Sequence, residues 1–554
     1  MKRSKPIWCG AAVIFSILSF VVSTSAQTRT ATAPSGNRFL GGAKGVVRSA
    51  AGSPLEGIMV QLVAPNSVRT TVYTSQDGRY EFPQLDSGSY TLRIARPLEY
   101  KPFRRDALRI DGATQLEDIV LERVSNSEYL PPTPEILGQL SGAEFLWNFS
   151  GTAQEKRAVN NSCGLGCHSY QQIFRSRYDE KGWRLIVDRM LHYGGAPLIN
   201  RTDRVREDPA QEDLIVKWLT KVRGPDSKDL PLRVFPGPRG AATRVVITEY
   251  EIPRAMIETH DVAGDSKGNI WFSSHRTPYV GMLDPRTGVV KEYKVPVTNP
   301  AAHPGTHRVS VDKSDLVWFS ENWSHNLTRF DPKAEKFTQI HLEDHDVPIN
   351  SPGFGNFALG PDDSIWAIRG GSVNKIDRET GKYLKQFRLK KVTSTYDNMI
   401  SADGNFWAGG VWPGETVALL DLRTGEFHEL ETPSKMTSPA RGGFDPQGNA
   451  WLGGRGGPLI KLDPKTLRVS EYYPPTPYVC FYEAMPDKNG EVWGGDMHSG
   501  RFVRFNPKNE KWIEYVLPEP YSHDRRTWID NSTNPVTVWY ADYVGYIVRI
   551  QPFE

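Results

Sequence analysis

The stretch HDVAGDSKGNIWFSSHRTPYVGMLDPRTG at residues 260–288 decides the fold of the longest part of this chain, because a similar unit follows at 307–332 as HRVSVDKSDLVWFSENWSHNLTRFDP. Each unit has an aspartate, a short polar turn, a tryptophan between apolar residues and, further on, the pair Asp-Pro. Seven tryptophans mark the repeat, at intervals of 47, 48, 41, 44, 42 and 46 residues: Trp271, Trp318, Trp366, Trp407, Trp451, Trp493 and Trp539. A period of about 45 residues with four short strands per unit is typical of propeller blades rather than helical solenoids. The sequence therefore predicts a seven-bladed β-propeller over residues 243–554.

A second marker supports the same period. It follows each tryptophan as Asp284, Asp331, Asp377, Asp421, Asp463 and Asn506, with Gln551 in the seventh place. The segment TRVVITEYEIP at residues 243–253 precedes the first marker and has the composition of a strand. We expect this strand to close the ring against the last blade.

Composition sets the wider limits. A chain of 554 residues exceeds one ordinary hydrophobic core, so several domains are expected. Its 41 prolines, 49 glycines and 15 tryptophans favour a mainly β architecture with many turns. The formal net charge of +3 gives no reason to expect a nucleic-acid partner.

The N-terminus predicts export. Lys2, Arg3 and Lys5 precede an apolar run at residues 7–22, and small residues at 24–26 offer a cleavage site. This pattern is typical of a cleaved signal peptide over residues 1–26 and predicts a periplasmic or secreted protein; an uncleaved membrane anchor is the alternative. The run is short for a membrane span. No later segment is apolar enough, so we expect no transmembrane segment in the mature chain.

Residues 27–40 read as a polar linker, and residues 41–124 as a β-sandwich of short alternating strands separated by turn clusters. The runs GVV at 45–47, AGSPL at 51–55, SQDGRYEF at 75–82 and DSGSYTLRI at 86–94 resemble the carboxypeptidase regulatory-like domain. The resemblance implies a carbohydrate-binding-like sandwich without catalytic residues, serving as a docking module or a spacer.

Residues 125–140 form a second, proline-containing linker, and residues 141–225 have a helical pattern. Trp183, Ile186, Val187 and Met190 share one face at helical spacing, and residues 212–222 repeat the pattern around Trp218. A small all-α domain is therefore expected between the sandwich and the propeller.

This helical region contains Cys163-Gly-Leu-Gly-Cys167-His168. Covalent haem attachment uses two thiols and a following histidine as axial iron ligand, usually with one residue fewer between the cysteines. Glycines at 164 and 166 can absorb the extra residue. A redox dithiol, a zinc site and a structural disulfide are the alternatives. The helical surroundings resemble those of cytochrome c, so we favour a cytochrome c-like domain that carries haem c.

The sixth iron ligand is left open by the sequence. Met190 follows His168 by 22 residues and His192 by 24, and both side-chain types occur as distal haem ligands. Met190 is slightly favoured, although it also fits a core position of its helix. An open or water-bound site is the third possibility.

Polar residues recur at equivalent positions of the predicted blades, where the innermost strands begin and where the tryptophan strands end. The set comprises His260, Asp261, His307, Arg308, Asn356, Asp397, Asn398, Arg441, Tyr482, Glu483, Arg525 and Arg526, together with His275, Glu321, Arg369, Arg455, Asp496, His498 and Asp542. Such a ring predicts a polar binding funnel at the propeller mouth, although any one member alone fits a solvated loop.

The repeat units at 260–288 and 307–332 resemble virginiamycin B lyase, the streptogramin lyase. That resemblance implies a histidine general base and carboxylates that hold magnesium. On this chain it points to His260 or His307 as base, with Glu258 and Glu321 as magnesium ligands. The family's Glu-Pro-His-Gly segment in a late blade is replaced here by Tyr-Val-Cys-Phe-Tyr at 478–482.

Three functions remain in view. The first is an exported haem c protein that passes electrons to or from a site in the funnel, which makes the chain oxidoreductase-like. We favour this function because it gives the haem motif a role. The second is a magnesium-dependent streptogramin-type lyase. The third is a non-catalytic propeller that binds a glycan or a protein. The expected partner is accordingly a redox partner, a small-molecule substrate or a glycan.

Overall fold

The computed structural model describes residues 39–554 except 126–127, 164–169, 193–208, 230, 256, 299, 303, 343–354, 393–394 and 412–413. The predicted signal peptide, most of the first linker, Cys167 and His168 lie outside the described residues. In chain order the described part forms a β-sandwich, a helical segment and a ring of β-sheets, as the mainly β prediction requires. Within it, no helix is both long and apolar enough to cross a lipid bilayer.

The N-terminal β domain contains the predicted short strands. They are β1 (Gly41–Ser49), β2 (Met59–Val63), β3 (Arg69–Tyr73), β4 (Arg79–Pro83), β5 (Gly88–Ile94), β6 (Arg104–Ile110) and β7 (Ile119–Leu121). One sheet has the order β4-β1-β7, and β3-β2-β5-β6 belong to the other. Alternate residues of β5, Tyr90, Leu92 and Ile94, face inward and pack in the same core as Val60 and Phe82.

The helical segment packs around tryptophan side chains. Its helices are α1 (Pro134–Leu137), α2 (Gly142–Asn148), α3 (Ala153–Cys163), α4 (Tyr170–Phe174), α5 (Glu180–His192) and α6 (Pro209–Arg223). Trp183, Val187 and Trp218 are buried in one core, as the helical pattern predicts. Met190 is 41% exposed and lies outside that core, although the sequence places it on the apolar face of α5; Leu185 of the same helix is 62% exposed.

A buried ion pair fastens the helical segment to the sandwich. Ser141 caps α2 and forms a capping box with Glu144. The Glu144 carboxylate also accepts hydrogen bonds from the Arg96 guanidinium, at 2.5 Å, and from the backbone N–H of Phe235, at 2.9 Å. The side chains of Arg96 and Glu144 are both nearly inaccessible, so the two domains share a desolvated contact.

A short 3₁₀ helix, Gly240–Thr243, leads into the propeller. The first strand is β8 (Val245–Glu251). Blades 1 and 2 consist of β9 (Thr259–Gly264), β10 (Ile270–Ser274), β11 (Tyr279–Asp284), β12 (Val289–Lys294), and β13 (Thr306–Val311), β14 (Val317–Glu321), β15 (Asn326–Asp331), β16 (Lys336–His341). Blades 3 and 4 consist of β17 (Ala358–Leu359), β18 (Ile365–Arg369), β19 (Ser372–Ile376), β20 (Tyr383–Arg388), and β21 (Met399–Ile400), β22 (Phe406–Gly410), β23 (Thr416–Asp421), β24 (Phe427–Glu431).

The remaining blades follow the same antiparallel order. Blades 5 and 6 consist of β25 (Pro439–Phe444), β26 (Ala450–Gly454), β27 (Leu459–Asp463), β28 (Arg468–Tyr472), and β29 (Phe481–Pro486), β30 (Val492–Asp496), β31 (Arg501–Asn506), β32 (Lys511–Val516). Blade 7 consists of β33 (Asp524–Asp530), β34 (Thr537–Asp542), β35 (Tyr546–Pro552) and the early strand β8. The innermost strands of blades 5 and 6 also pair with each other in parallel.

The aspartate-to-tryptophan spacing has a local cause. Asp445 accepts hydrogen bonds from the backbone N–H groups of Gln447 and Asn449, and from the indole Nε1 of Trp451 at 2.9 Å. The carboxylate thereby closes the turn and fixes the tryptophan six residues later. The same bond joins Asp265 to Trp271, Asp312 to Trp318, and Asp487 to Trp493.

Strand β8 closes the ring as predicted, because it pairs antiparallel with β35 through partners such as Ile247 and Ile550. Its other edge pairs with β3 of the sandwich, where Thr248 faces Thr70. Blade 7 and half of the sandwich therefore form one eight-stranded sheet, in the order β33-β34-β35-β8-β3-β2-β5-β6. This continuous sheet was not predicted from the sequence.

A buried polar group lies at this junction. The Gln61 amide donates to Glu249 Oε2 at 3.1 Å and to the Thr71 hydroxyl at 2.8 Å, and Arg93 Nε donates to Gln61 Oε1 at 2.7 Å. Burial, with the Glu519 carboxyl nearby, raises the pKa of Glu249 to about 8. Glu249 is therefore largely protonated in the folded chain at neutral pH.

Candidate functional site

The innermost strands of five blades carry a β-bulge near their first residues. In β9, Thr259 faces Ser274 while Val262 faces Phe272, so one extra residue is inserted between them. The same irregularity occurs in β13, β25, β29 and β33. A bulge re-aims the side chains beside it. Part of the predicted polar ring lies within these bulges: His260, Asp261, His307, Arg308, Arg441, Tyr482, Arg525 and Arg526.

Serines two residues after the blade tryptophans stabilise the bulges. Ser273 Oγ accepts a hydrogen bond from the Asp261 backbone N–H at 3.0 Å and donates to the His307 carbonyl of the next blade. Ser320 Oγ likewise accepts from the Arg308 N–H and donates to the Gly355 carbonyl at 2.9 Å. The Trp-Phe-Ser sequence of blades 1 and 2 therefore links the bulges of β9 and β13 to the neighbouring blade.

Six side chains of the predicted polar ring form a buried group of ion pairs, here called the ionic cluster. Its members are Asp261, Asp397, Glu483, Arg308, Arg441 and Arg526. Arg441 lies 2.8 Å from Asp261, Arg308 3.2 Å from Asp397, and Arg526 2.9 Å from Glu483. Three cations balance three carboxylates, which is the condition under which buried charges are tolerated.

Three histidines lie beside the ionic cluster and form the histidine cluster: His260, His275 and His307. Their ring centroids are 4.0 Å apart for His260 and His307, 4.9 Å for His260 and His275, and 5.4 Å for His275 and His307. One ring nitrogen from each lies within 4.8 Å of the other two. Neutral imidazoles this close are a possible ligand set for a metal ion.

The rings of His260 and His307 are oriented by hydrogen bonds at Nδ1. His260 Nδ1 lies 2.7 Å from Asp261 Oδ1, and His307 Nδ1 lies 2.6 Å from the Gly355 carbonyl oxygen. On the other side, His260 Nε2 lies 3.2 Å from the Tyr482 hydroxyl. With a carboxylate and a carbonyl as acceptors, Nδ1 carries the proton in both rings and Nε2 keeps its lone pair.

His275 occupies the more open side of the cluster. Its Nδ1 lies 3.4 Å from the Tyr543 hydroxyl and 3.9 Å from Glu258 Oε2. The same Glu258 oxygen accepts hydrogen bonds from Tyr543 and from Arg276 Nε, the latter at 2.6 Å. Glu258 therefore holds Tyr543 and Arg276 beside the His275 ring.

The environment keeps the three imidazoles uncharged. Burial lowers the pKa of His260 to about 3, although the Asp261 hydrogen bond opposes the shift. Burial and the neighbouring imidazoles lower the pKa values of His275 and His307 well below the usual range. At neutral pH their nitrogens are available as ligands or as hydrogen-bond acceptors.

A series of aromatic rings leads from the helical segment to the histidine cluster. The ring of Tyr170 stacks on His498 with centroids 4.3 Å apart, and His498 lies 5.6 Å from His523. His523 lies 5.7 Å from Tyr543, which lies 6.2 Å from His275. This aromatic series, Tyr170-His498-His523-Tyr543-His275, crosses from one domain into the other.

The end of α3 lies at the start of this series. The Ala143 N–H donates to the His498 carbonyl at 3.0 Å, and the Asn160 amide contacts the Val479 carbonyl at 3.4 Å. Burial, with the Cys163 thiol as the next cause, raises the pKa of Tyr170 well above its usual range. Cys163 of the predicted haem motif is therefore close to Tyr170.

The structure separates the four predicted lyase residues. His260, His307 and Glu258 lie together around the histidine cluster. Glu321 instead accepts hydrogen bonds within its own blade, from Ser324, Asn326, Thr328 and Gln339, at 2.5 to 3.1 Å. Its two oxygens are thus used by neighbouring side chains of blade 2.

The rest of the predicted ring has structural contacts. Arg455 packs over the rings of Tyr396 and Tyr482, and Arg525 over Tyr482 and Tyr543. The other members pair with backbone or indole groups, or are buried in their blades: Asn356, Asn398, Arg369, Asp496 and Asp542. Cys480 is buried, and burial raises the pKa of its thiol.

The haem motif is only partly within the described residues. Cys163 ends α3 and packs at the edge of the helical core, whereas Cys167 and His168 are outside the described part of the chain. Met190 lies on α5, and the His192 side chain is also outside the described part of the chain. The haem ligands therefore stay predictions.

Sequence reasoning missed Tyr170, His523 and Tyr543, and it named His275 without a role. A usable signal was the fourth residue after each blade tryptophan, where the second strand ends. That position carries His275, Asn322, Arg455, Met497 and Tyr543 in five blades. These residues surround the channel with imidazole, amide, guanidinium, thioether and phenol groups.

Comparisons with known proteins identify the first domain. Residues 42–122 match the carboxypeptidase regulatory-like domain. This confirms the resemblance seen in the sequence for the N-terminal sandwich. No curated protein matches the chain.

Among solved structures, the C-terminal part is similar to streptogramin lyase propellers. Virginiamycin B lyase from Staphylococcus aureus is 16% identical, with 55% of this chain and 99% of that chain covered and a TM-score of 0.48. A streptogramin B lyase is 19% identical, with 56% and 99% covered and a TM-score of 0.49. YCF48 bound to D1 peptide is 14% identical, with 54% and 94% covered and a TM-score of 0.44. The seven blades themselves follow from the strand pairing described above.

Proposed function

We propose that this chain is an exported redox protein in which the helical segment carries a covalent haem c and exchanges electrons with a site at the histidine cluster. The observation that carries the proposal is the aromatic series between these two places. Its successive ring centroids are 4.3 to 6.2 Å apart. Electron tunnelling falls steeply with distance, so closely spaced aromatic rings favour transfer along such a route.

The donor set near Cys163 suits haem attachment. Two thiols four positions apart and a following histidine supply the covalent links and an axial ligand. The thioether of Met190 is not used in the helical core, because this side chain is 41% exposed. Haem c supplies a one-electron redox couple when bound. The protein's own contribution is to place Tyr170 between Cys163 and His498.

A streptogramin-type elimination has less support from the geometry. It requires a histidine base together with carboxylates that are open to magnesium. Glu321 is engaged by four donors in blade 2, and Glu258 by Arg276 and Tyr543. His260, the expected base, bonds Asp261 and Tyr482 within a buried cluster. The redox proposal does not require either carboxylate to be open to a magnesium ion.

The test is a visible spectrum and a haem stain of the denatured protein, produced in a host that has haem-maturation machinery. We expect a Soret band and a stained polypeptide, and we expect both to be lost in Cys163→Ala. Cys480→Ala is the matched control, because this thiol is buried in the propeller and its loss leaves the motif intact. A colourless wild-type protein refutes the proposal. N-terminal sequencing of the exported product, expected to begin at Gln27, tests the signal peptide.

A further inference from the structure

We propose that His260, His275 and His307 bind a divalent transition-metal ion, with copper(II) bound most tightly. One nitrogen from each ring lies within 4.8 Å of the other two. Metal–imidazole distances of about 2.0–2.1 Å require these nitrogens to be about 3.4 Å apart, so small ring rotations complete the site. Metal binding stands on this cluster alone; a redox role for the metal rests on the proposed function.

The outer contacts of the cluster are those of a built metal site. Metal-bound histidines donate their second N–H to a carboxylate, a carbonyl or another acceptor, which fixes the ring. Here His260 Nδ1 lies 2.7 Å from Asp261, and His307 Nδ1 lies 2.6 Å from the Gly355 carbonyl. His275 Nδ1 lies 3.4 Å from the Tyr543 hydroxyl, the weakest of the three contacts. Each ring thus has a partner at Nδ1, and an ion bound at His260 Nε2 replaces the contact of that atom with the Tyr482 hydroxyl.

Hydroxyl and carboxylate groups surround the histidine cluster. Tyr482 lies 3.2 Å from His260 Nε2, where it borders the ion position. Glu258 approaches His275 but is held by Arg276 and Tyr543, so it serves as an outer partner rather than a ligand. On the side of His275 the cluster is partly open, since that side chain is 17% exposed. Solvent therefore reaches the cluster on the side of His275.

Ligand chemistry selects the kind of metal. Three imidazole nitrogens suit copper, zinc, nickel and iron, and among divalent first-row ions copper(II) binds such sets most tightly. Magnesium prefers oxygen ligands with near-octahedral geometry. The carboxylates nearest the cluster, Asp261 and Glu258, are paired with arginines. The site is therefore expected to reject magnesium.

The experiment titrates copper(II), zinc(II) and magnesium(II) into the full chain, purified without an affinity tag, and measures bound metal after desalting. We expect a single copper(II) ion per chain, weaker zinc binding and no magnesium binding. Electron paramagnetic resonance of the copper form should show nitrogen couplings from imidazole. His275→Ala is the main variant, because its partly exposed side chain can be removed with the least damage to packing. Losing a ligand should weaken copper binding by at least the ~100-fold that loss of an outer partner can cost.

His428→Ala is the matched control, since this histidine lies in the outer strand of blade 4 and contacts Glu426. The control should bind copper like the wild type. Unchanged copper affinity in both His275→Ala and His307→Ala, each with native circular dichroism, overturns the inference, and so does an oxygen-only copper spectrum. Copper binding retained in the haem-free Cys163→Ala chain supports it. That arm separates the two proposals, because a colourless wild-type protein that still binds copper contradicts only the haem function.

Discussion

Arg441→Met tests whether the ionic cluster holds the propeller together. The Arg441 side chain is fully buried. It donates to Asp261 at 2.8 Å and to Asn356 at 2.5 Å, and its guanidinium lies over the rings of Tyr396 and Tyr482 at 5.5 and 5.1 Å. Methionine keeps much of the side-chain volume but removes the charge. The variant therefore leaves Asp261 with the more distant Arg526, at 3.8 Å, as its cationic partner.

The expected cost follows from the charge left behind. Burial alone would raise the pKa of Asp261, yet Arg441 and His260 hold it well below its ordinary value, so the carboxylate is ionised in the folded chain. Removing one partner of a buried pair costs about 3–5 kcal/mol, because the other charge stays desolvated. We expect Arg441→Met to lower the free energy of unfolding by that amount.

Urea unfolding followed by tryptophan emission measures this change, since the blade tryptophans report on the propeller. Arg423→Met is the matched control: it removes the same type of ion pair, with Asp421, but the Arg423 side chain is 60% exposed. Solvent screens an exposed pair, so we expect Arg423→Met to change the free energy of unfolding far less than Arg441→Met does. If Arg441→Met lowers the urea midpoint no more than Arg423→Met does, the ionic cluster does not stabilise the fold and the prediction is refuted.

Three further predictions concern other parts of the molecule. Asp445→Ala removes the acceptor of the Trp451 indole and of two backbone amides, and calorimetry should show a loss of about 2–3 kcal/mol; an unchanged melting temperature would contradict the turn's role. In the folded chain Glu249 has a pKa of about 8, against an ordinary value of 4.5, so the stability that this group contributes is present below pH 4.5 and is lost as the pH rises to about 8. We expect Glu249→Gln to abolish this decline, measured as the urea midpoint at each pH. An identical decline in both proteins would refute the prediction. Asp261→Asn should weaken copper binding and also lower stability, because Asp261 bonds His260. The Glu483 carboxylate bonds Arg526 and the Thr527 N–H, so Glu483→Gln should lower stability alone. Copper titration and urea unfolding of both variants measure the two effects.

Much of the propeller could be predicted because its signals are local. The bond from Asp445 to the Trp451 indole spans six residues, so its requirement is written into a short, repeated stretch. The same holds for Asp265 and Trp271. The closing strand was also predictable, since residues 243–253 had no other place in a period of four strands per blade. Local chemistry that repeats is visible without a structure.

Contacts between distant segments could not be predicted in the same way. The pairing of β3 with β8 depends on two free strand edges meeting in space, and neither Thr70 nor Thr248 carries a sign of it. Glu321 occupies a ring position like the others, yet the hydroxyl of Thr328 and the amide of Gln339 turn it into its own blade. The position of a residue in its strand determines at which end of the blade its side chain lies. The residues around it determine what that side chain contacts.

The two central clusters share one side chain, and this explains why the site lies where it does. Asp261 Oδ1 is 2.8 Å from Arg441 and 2.7 Å from His260 Nδ1. The ionic cluster must therefore form for His260 to have its orientation. The Nε2 atom of His260 contacts the Tyr482 hydroxyl, whereas His275 lies on the partly exposed side of the histidine cluster. The ionic cluster and the histidine cluster are thus parts of one hydrogen-bonded unit, with Asp261 at their boundary.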